Sequence, residues 1–198
     1  MTWENPDTST SYLLSLQLRR IIFSNRRHYS HVAGYNALIA LDRDLIGLDC
    51  DEVYPNLYIA DKRTAQDIDY LLLLGVTHIL NVAQQDIQTA IRYRSHNINY
   101  MGIPMQDDIG FQISLYFYIT AGYIDRAIKD GGKVLVNCFR GVSRSGAIAL
   151  SYLMIKHGIG ASLALRIILQ KRHISPNDGF LNQLSVLDNV LFPSTLLI

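Results

Sequence analysis

The chain has 198 residues, 49% of them hydrophobic, with 18 Lys and Arg against 17 Asp and Glu for a net charge of +1. That length fits one domain plus an extension, and the apolar content is ample for a core. The charge balance gives no reason to expect nucleic-acid binding by bulk electrostatics, and the apolar stretches fall far short of the roughly eighteen residues a membrane span needs.

Residues 1 to 48 read as an N-terminal extension, partly helical. Glu4 and Asp7 come early and no small-residue cleavage site follows a basic start, so no signal peptide is expected. Between 12 and 31, Leu13, Leu14, Leu16, Leu18, Ile21, Ile22 and Phe23 mix with Arg19, Arg20, Arg26 and Arg27. That pattern suits a basic amphipathic helix for a membrane surface or an organelle, or else a helix packed on the domain or a partly ordered tail. The latter reading is the expectation, because amphipathic helices usually just pack. Val53 to Ala60 reads as the first strand, at a sheet edge because of Pro55. Thr64 to Leu74 reads as a helix opened by a capping box of Thr64 and Asp67 and stopped by Gly75. Strands are expected at 77–82 and 99–103. Ser114 to Lys129 reads as a helix with an apolar stripe at Phe117, Ala121, Ile124 and Ile128, ended by Gly131 and Gly132. Lys133 to Asn137 is a buried strand. Ser145 to His157 is a helix apolar on nearly all sides, hence central and buried. Helices at 162–171 and 179–191 follow, the last capped by Asn177 or Asp178. Strands alternating with helices predict an α/β fold: a central, mostly parallel sheet flanked by helices, with the site outside the carboxyl end of a strand.

The chemistry is concentrated in Asn137-Cys138-Phe139-Arg140-Gly141-Val142-Ser143-Arg144-Ser145-Gly146. A strand, a tight loop and a helix start make an anion cradle. Loop N–H groups point inward, and the positive end of the helix dipole adds to them. A cysteine in that field ionises more readily than a free thiol. An arginine closing the loop grips two phosphate oxygens at once. These parts suit attack by a thiolate on a phosphate ester.

At these residues the chain resembles the cysteine-dependent protein tyrosine phosphatases, and among them the atypical dual-specificity phosphatases of the vaccinia-H1-related type. The resemblance is carried by Val134-Leu135-Val136-Asn137-Cys138, Gly141-Val142-Ser143-Arg144-Ser145 and Ser151-Tyr152-Leu153-Met154. It continues through Asp51-Glu52-Val53-Tyr54-Pro55-Asn56-Leu57-Tyr58, Gly75 to Ala83, and Ile174-Ser175-Pro176-Asn177-Asp178-Gly179-Phe180-Leu181. It implies a protein-tyrosine-phosphatase-like fold, a catalytic domain over 49–192 and a short tail at 193–198.

The resemblance also implies roles. Cys138 is the expected nucleophile and Arg144 the phosphate clamp. Gly141 lets the loop backbone approach the phosphate, and Phe139, Arg140, Val142 and Ser143 are expected to contribute mainly N–H groups. The general acid is expected on the loop after the strand at 99–103, at Asp107, with Asp108 its neighbour and rival. Ser145 is expected to hydrogen-bond the departing thiolate, or else to be a plain helix N-terminal serine.

Two departures from the family pattern stand out. Asn137 occupies the place of a histidine that helps lower the thiol pKa, so a higher thiol pKa and slower turnover at neutral pH are expected. Arg140 stands where relatives often carry a small or acidic residue. It either favours substrates with several negative groups or is an inert loop tip. Cys50 is read as a plain cysteine, a reversible disulfide with Cys138 being the alternative. No histidine shows metal-ligand spacing with the cysteines, and neither metal nor cofactor is expected.

The expected function is hydrolysis of phosphotyrosine and phosphoserine or phosphothreonine in a phosphorylated protein substrate, through a cysteinyl-phosphate. The alternatives are a phosphoinositide or RNA 5′-phosphate substrate, or a pseudophosphatase that binds without turnover. No nucleic-acid partner and no membrane span are expected. A thiolate nucleophile needs a reducing setting, so the expected place is intracellular, the cytoplasm first and the nucleus open as well. Oligomeric state is left open.

Overall fold

The computed structural model describes residues 8–31, 48–84 and 88–193. The rest of the extension and residues 194–198 of the tail lie outside them. A five-stranded sheet of order β1-β2-β5-β3-β4 is built from β1 (Cys50–Tyr54), β2 (Leu57–Ala60), β3 (His78–Asn81), β4 (Asn99–Gly102) and β5 (Val134–Asn137). Every pairing is parallel except that of β1 with β2. The helices are α1 (Thr8–His31), α2 (Lys62–Ala65), α3 (Ile68–Leu74), α4 (Gln88–Arg94), α5 (Phe117–Lys129), α6 (Arg144–His157), α7 (Ala161–Leu169) and α8 (Asp178–Leu191). A 3-10 turn at Ile113–Tyr116 leads into α5.

Both faces of the sheet are covered, and the strands alternate accordingly. Val134 and Val136 of β5 join one core with Leu57, Ile59 and Leu80, while Leu135 joins the other with Tyr58 and Ile79. The first face carries α1, α5, α6, α7 and α8. The second carries α2, α3 and α4, through Ala65, Leu71 and Tyr93. As expected, α6 is the central helix: every residue from Arg144 to Met154 is buried.

The expected strand over Val53 to Ala60 is instead a hairpin. Pro55 has no N–H to give a ladder, and Asn56 takes a left-handed backbone (φ 62°), so the two form the turn. The expected helix over 64–74 is two helices. Asp61 caps the first by accepting from the Thr64 N–H at 2.8 Å, and Asp67 caps the second from the Tyr70 N–H at 3.0 Å. An aspartate that satisfies the next turn's orphan N–H starts a helix rather than sitting inside one. The Thr64 hydroxyl accepts from the Asp49 N–H instead of capping. Gly75 ends α3 in the left-handed conformation (φ 73°). Asn177, of the two candidates, caps α8. Helix α4 had no periodicity long enough to announce it.

Of the extension, α1 lies against α7 and α8 and buries Leu18, Ile21 and Ile22 in the main core. Arg19 pairs with Asp178 at the start of α8 (2.9 Å), and Asn189 donates to the Ser11 hydroxyl (2.7 Å). Among the described residues, no helix is long and apolar enough to cross a membrane. The register places Asn137 level with Ala60 and Asn81, so three parallel strands end together. The chain leaves that edge as the loop 138–143 and turns into α6.

Candidate active site

The loop's geometry follows from where its carbonyls go. The Phe139 carbonyl accepts from the Lys62 N–H (3.1 Å), that of Gly141 from Arg172 Nε (2.8 Å), and that of Val142 from the Ser175 N–H (3.0 Å). Each peptide unit is planar and trans, so a carbonyl held outward turns the following N–H inward. Gly141 has φ 63°, and a Cβ there would lie 2.6 Å from the Ala60 carbonyl oxygen. No side chain can be added at that point without moving β2. Helix α6 then starts without a side-chain cap. Its free N-terminal N–H groups and its dipole face the loop's interior.

The buried Cys138 Sγ lies there, 3.3 Å from the Ser145 hydroxyl. Its thiol is shifted below the ordinary value. Burial opposes the charged form, but the Ser145 hydroxyl, the N–H groups of Ser145 and Val142, and the Arg144 charge together outweigh it. Arg144 is buried, with Nη1 donating to the Met105 carbonyl (3.0 Å). Its Nε has no hydrogen-bond partner and faces Asp107 Oδ2 at 3.6 Å. A cationic donor kept dry and open is a waiting anion contact.

Asp107 is the carboxylate brought to this place. Its Oδ1 accepts from the Ser143 hydroxyl (2.7 Å) and from Asn177 Nδ2 (2.9 Å). Asp108 is occupied elsewhere, accepting from the Gly110 N–H (2.8 Å). Cys138, Arg144, Asp107, Asn137 and Phe139 line one cavity of about 520 Å³, and Asp108 is not among its walls.

These features coincide with known proteins. Residues 57–190 match the family described as dual specificity phosphatase, catalytic domain. The chain belongs to the dual specificity phosphatase family. Human dual specificity protein phosphatase 13B is 41% identical over 145 residues, covering 71% of this chain and 73% of that protein. Mouse dual specificity protein phosphatase 26 is 33% identical over 190 residues, covering 95% of this chain and 82% of that one. The crystal structure of human DUSP28 aligns with a TM-score of 0.65 at 28% identity, over 72% of this chain and 94% of that chain. The protein is thus a phosphatase with a protein-tyrosine-phosphatase-like fold, acting on phosphoproteins.

Several residues of this phosphatase site escaped sequence reasoning. Ser143 is expected to contribute mainly its N–H group, and its hydroxyl also fixes Asp107. Asn177 was read only as a helix cap, but it caps with Oδ1 and holds Asp107 with Nδ2. Gln183 of α8 grips the same loop further on, accepting from the Ser114 N–H and donating to the Phe111 carbonyl, each at 2.9 Å. Arg172, with Asp49 and Asp51, braces the phosphate loop from behind. Phe139 and Arg140 are exposed at the loop's outer tip. Neither Cys50 nor Cys138 is in a disulfide, and Cys50 is buried in the second core. Among the described residues no group of His, Cys, Asp or Glu side chains converges as a metal site.

Asn137 is buried beside the nucleophile, and its amide oxygen has no hydrogen-bond partner. A neutral amide adds no charge to the field on the thiol. An Asn137→His variant is expected to move the midpoint of iodoacetamide inactivation to lower pH. An unmoved midpoint would show that the thiol does not sense this position.

Proposed function

We propose that this phosphatase hydrolyses phosphotyrosine and phosphoserine or phosphothreonine in two steps at Cys138. The observation that carries the reading is the meeting of the Cys138 sulfur, an Arg144 Nε without a hydrogen-bond partner and the Asp107 carboxylate it faces, around one cavity. A phosphate monoester binds with its oxygens on the inward loop N–H groups and on Arg144. The Cys138 thiolate attacks phosphorus while the bond to the leaving oxygen breaks. Asp107, protonated, gives its proton to that oxygen, and the alcohol or phenol departs. Water then attacks the cysteinyl-phosphate, Asp107 accepts its proton, and the sulfur–phosphorus bond breaks. The Ser145 hydroxyl donates to the departing thiolate, and inorganic phosphate is released. Ser143 and Asn177 position Asp107 throughout, and Phe139, Arg140, Gly141 and Val142 complete the phosphate-binding loop.

Asp107→Asn is the direct test. It is expected to lower kcat on a small aryl phosphate by about 10²–10⁴-fold, with Asp108→Asn within about threefold of the unaltered protein. Cys138 must be ionised to attack, so activity rises with pH as the thiol, held below its ordinary pKa, loses its proton. A larger loss in Asp108→Asn would reassign the acid. A thiolate nucleophile works only while reduced, which supports a reducing, intracellular setting such as the cytoplasm. Tagged protein recovered only from an oxidising compartment would overturn that placement.

A further inference from the structure

Residues 103–112 join β4 to the 3-10 turn at Ile113–Tyr116, carry Asp107 and belong to neither helix nor strand. Such a loop has no ladder of its own, so its place depends on partners found elsewhere. Before Asp107 it is tied to the sheet by the Ile103 N–H, which donates to the Asn81 carbonyl (2.9 Å), and to Arg144 by the Met105 carbonyl (3.0 Å). After Asp107 it is tied to α8. Gln183 donates to the Phe111 carbonyl and accepts from the Ser114 N–H at the loop's exit, each at 2.9 Å. One turn earlier on that helix, Gly179 lies directly against the loop backbone, and a Cβ there would overlap the Ile109 carbonyl oxygen. Residues four apart share a helix face, so Gly179 and Gln183 present one side of α8 to the loop. That side is anchored from behind. Phe180 and Leu184 are wholly buried in the main core, and Arg19 of α1 pairs with Asp178 at the helix start (2.9 Å).

Building on the two-step reading above, we infer that Gly179 and Gln183 are positioning residues for the general acid: they dock the acid loop on α8 and so hold Asp107 at the cavity before a substrate arrives. Neither lines the catalytic cavity. The nucleophile and the phosphate clamp are set by other contacts, Cys138 by Ser145, Arg144 by Met105 and the phosphate loop by Arg172. The two residues therefore act on one event, the proton given to the leaving oxygen. A loop already docked on a buried helix lets that transfer proceed without the loop first having to be ordered.

That separation gives the test. With the acid in place, the leaving oxygen is protonated as it departs, and the rate depends little on how stable it is as an anion. With the acid displaced, poor leaving groups suffer most. The quantity read is kcat/KM across a series of aryl phosphates whose phenols run in pKa from about 7 to about 10. Gln183→Met keeps the side chain's length and removes both bonds. It is expected to lower kcat/KM about twofold for the most acidic phenol and about tenfold or more for the least acidic, tilting the series in the same direction as Asp107→Asn. Gly179→Ala drives a methyl group into the loop backbone and should tilt the series further, with Gln183→Met deciding alone where that protein does not fold. The pH midpoint of iodoacetamide inactivation should not move in Gln183→Met, because Cys138 keeps its own contacts. In the Asp107→Asn background, Gln183→Met should add no further tilt. Equal losses across the series, the mark of a merely structural role, overturn the inference, as does a tilt that adds to that of Asp107→Asn. A series left untilted by Asp107→Asn overturns the acid assignment as well, whereas a tilt in Asp107→Asn alone overturns only the inference.

Discussion

Turnover of a small aryl phosphate is expected to fall by roughly 10⁴-fold or more in Cys138→Ser, with folding and phosphopeptide binding retained. The change swaps sulfur for oxygen in a buried position, so its steric cost is small. Its chemical cost is large. The loop holds the thiol below its ordinary pKa through Ser145, Val142 and Arg144, and a serine hydroxyl remains protonated in the same field. The pH dependence carries a second check. Ser145→Ala removes a donor to the charged sulfur, so the thiol pKa should rise and the midpoint of iodoacetamide inactivation should move to higher pH. The same variant should slow the second step more than the first, because the departing thiolate loses that hydrogen bond. Phosphorylated enzyme should then accumulate in a rapid-quench experiment. Residual activity in Cys138→Ser within tenfold of the unaltered protein would require a different nucleophile.

Arg172→Met is expected to cost about 3 kcal/mol of stability and to raise the Cys138 pKa. The Arg172 side chain is only 4% exposed and donates to Asp49, to Asp51 at 2.8 Å and to the Gly141 carbonyl. Burial works against its charge, but the two aspartates hold it charged, with a pKa above its ordinary value. Methionine fills the space and leaves Asp51 buried without its cation. Breaking such a pair costs about 3–5 kcal/mol, and the lower end applies here because Asp49 stays in reach of water. For a domain of this size that is a fall of roughly 6–12 °C in Tm. The effect on the site follows from one peptide plane. Arg172 fixes the Gly141 carbonyl, which aims the Val142 N–H at the Cys138 sulfur. A released carbonyl lets that donor turn away. A Tm change under about 2 °C together with an unmoved thiol titration would reduce Arg172 to a spectator. Arg172→Lys discriminates further: it keeps the charge but loses the fork, so stability should recover more than the thiol pKa does.

The parts of this protein legible in the sequence are those whose determinants sit close together along the chain. Cys138, Gly141, Arg144 and Ser145 fall within eight consecutive residues, because a strand, a loop and a helix start must be contiguous to make the anion cradle. The parallel sheet and the buried α6 were legible for a similar reason, since runs such as Val134-Leu135-Val136 and Ala147-Ile148-Ala149-Leu150 state their burial locally. Local signals misled where two structures share one composition. Pro55-Asn56 inside an apolar run reads as an edge strand but is a turn, and Asp67 reads as the inner partner of a capping box opened by Thr64 but is itself the cap of the next helix.

The resemblance points to Asp107 ahead of Asp108, but only the tertiary structure shows what holds Asp107 at the cavity. Its partners there are Ser143 and Asn177, 36 and 70 residues away in the chain. Only that structure could show Arg172 reaching Asp49 across 123 residues to hold the phosphate loop, or Lys62 and Arg63 of α2 meeting Arg140 of the phosphate loop around one cavity. Hydrogen bonds and ion pairs act over about 3 Å, and the chain carries no local mark of which distant partner will come within that reach until the layers have packed.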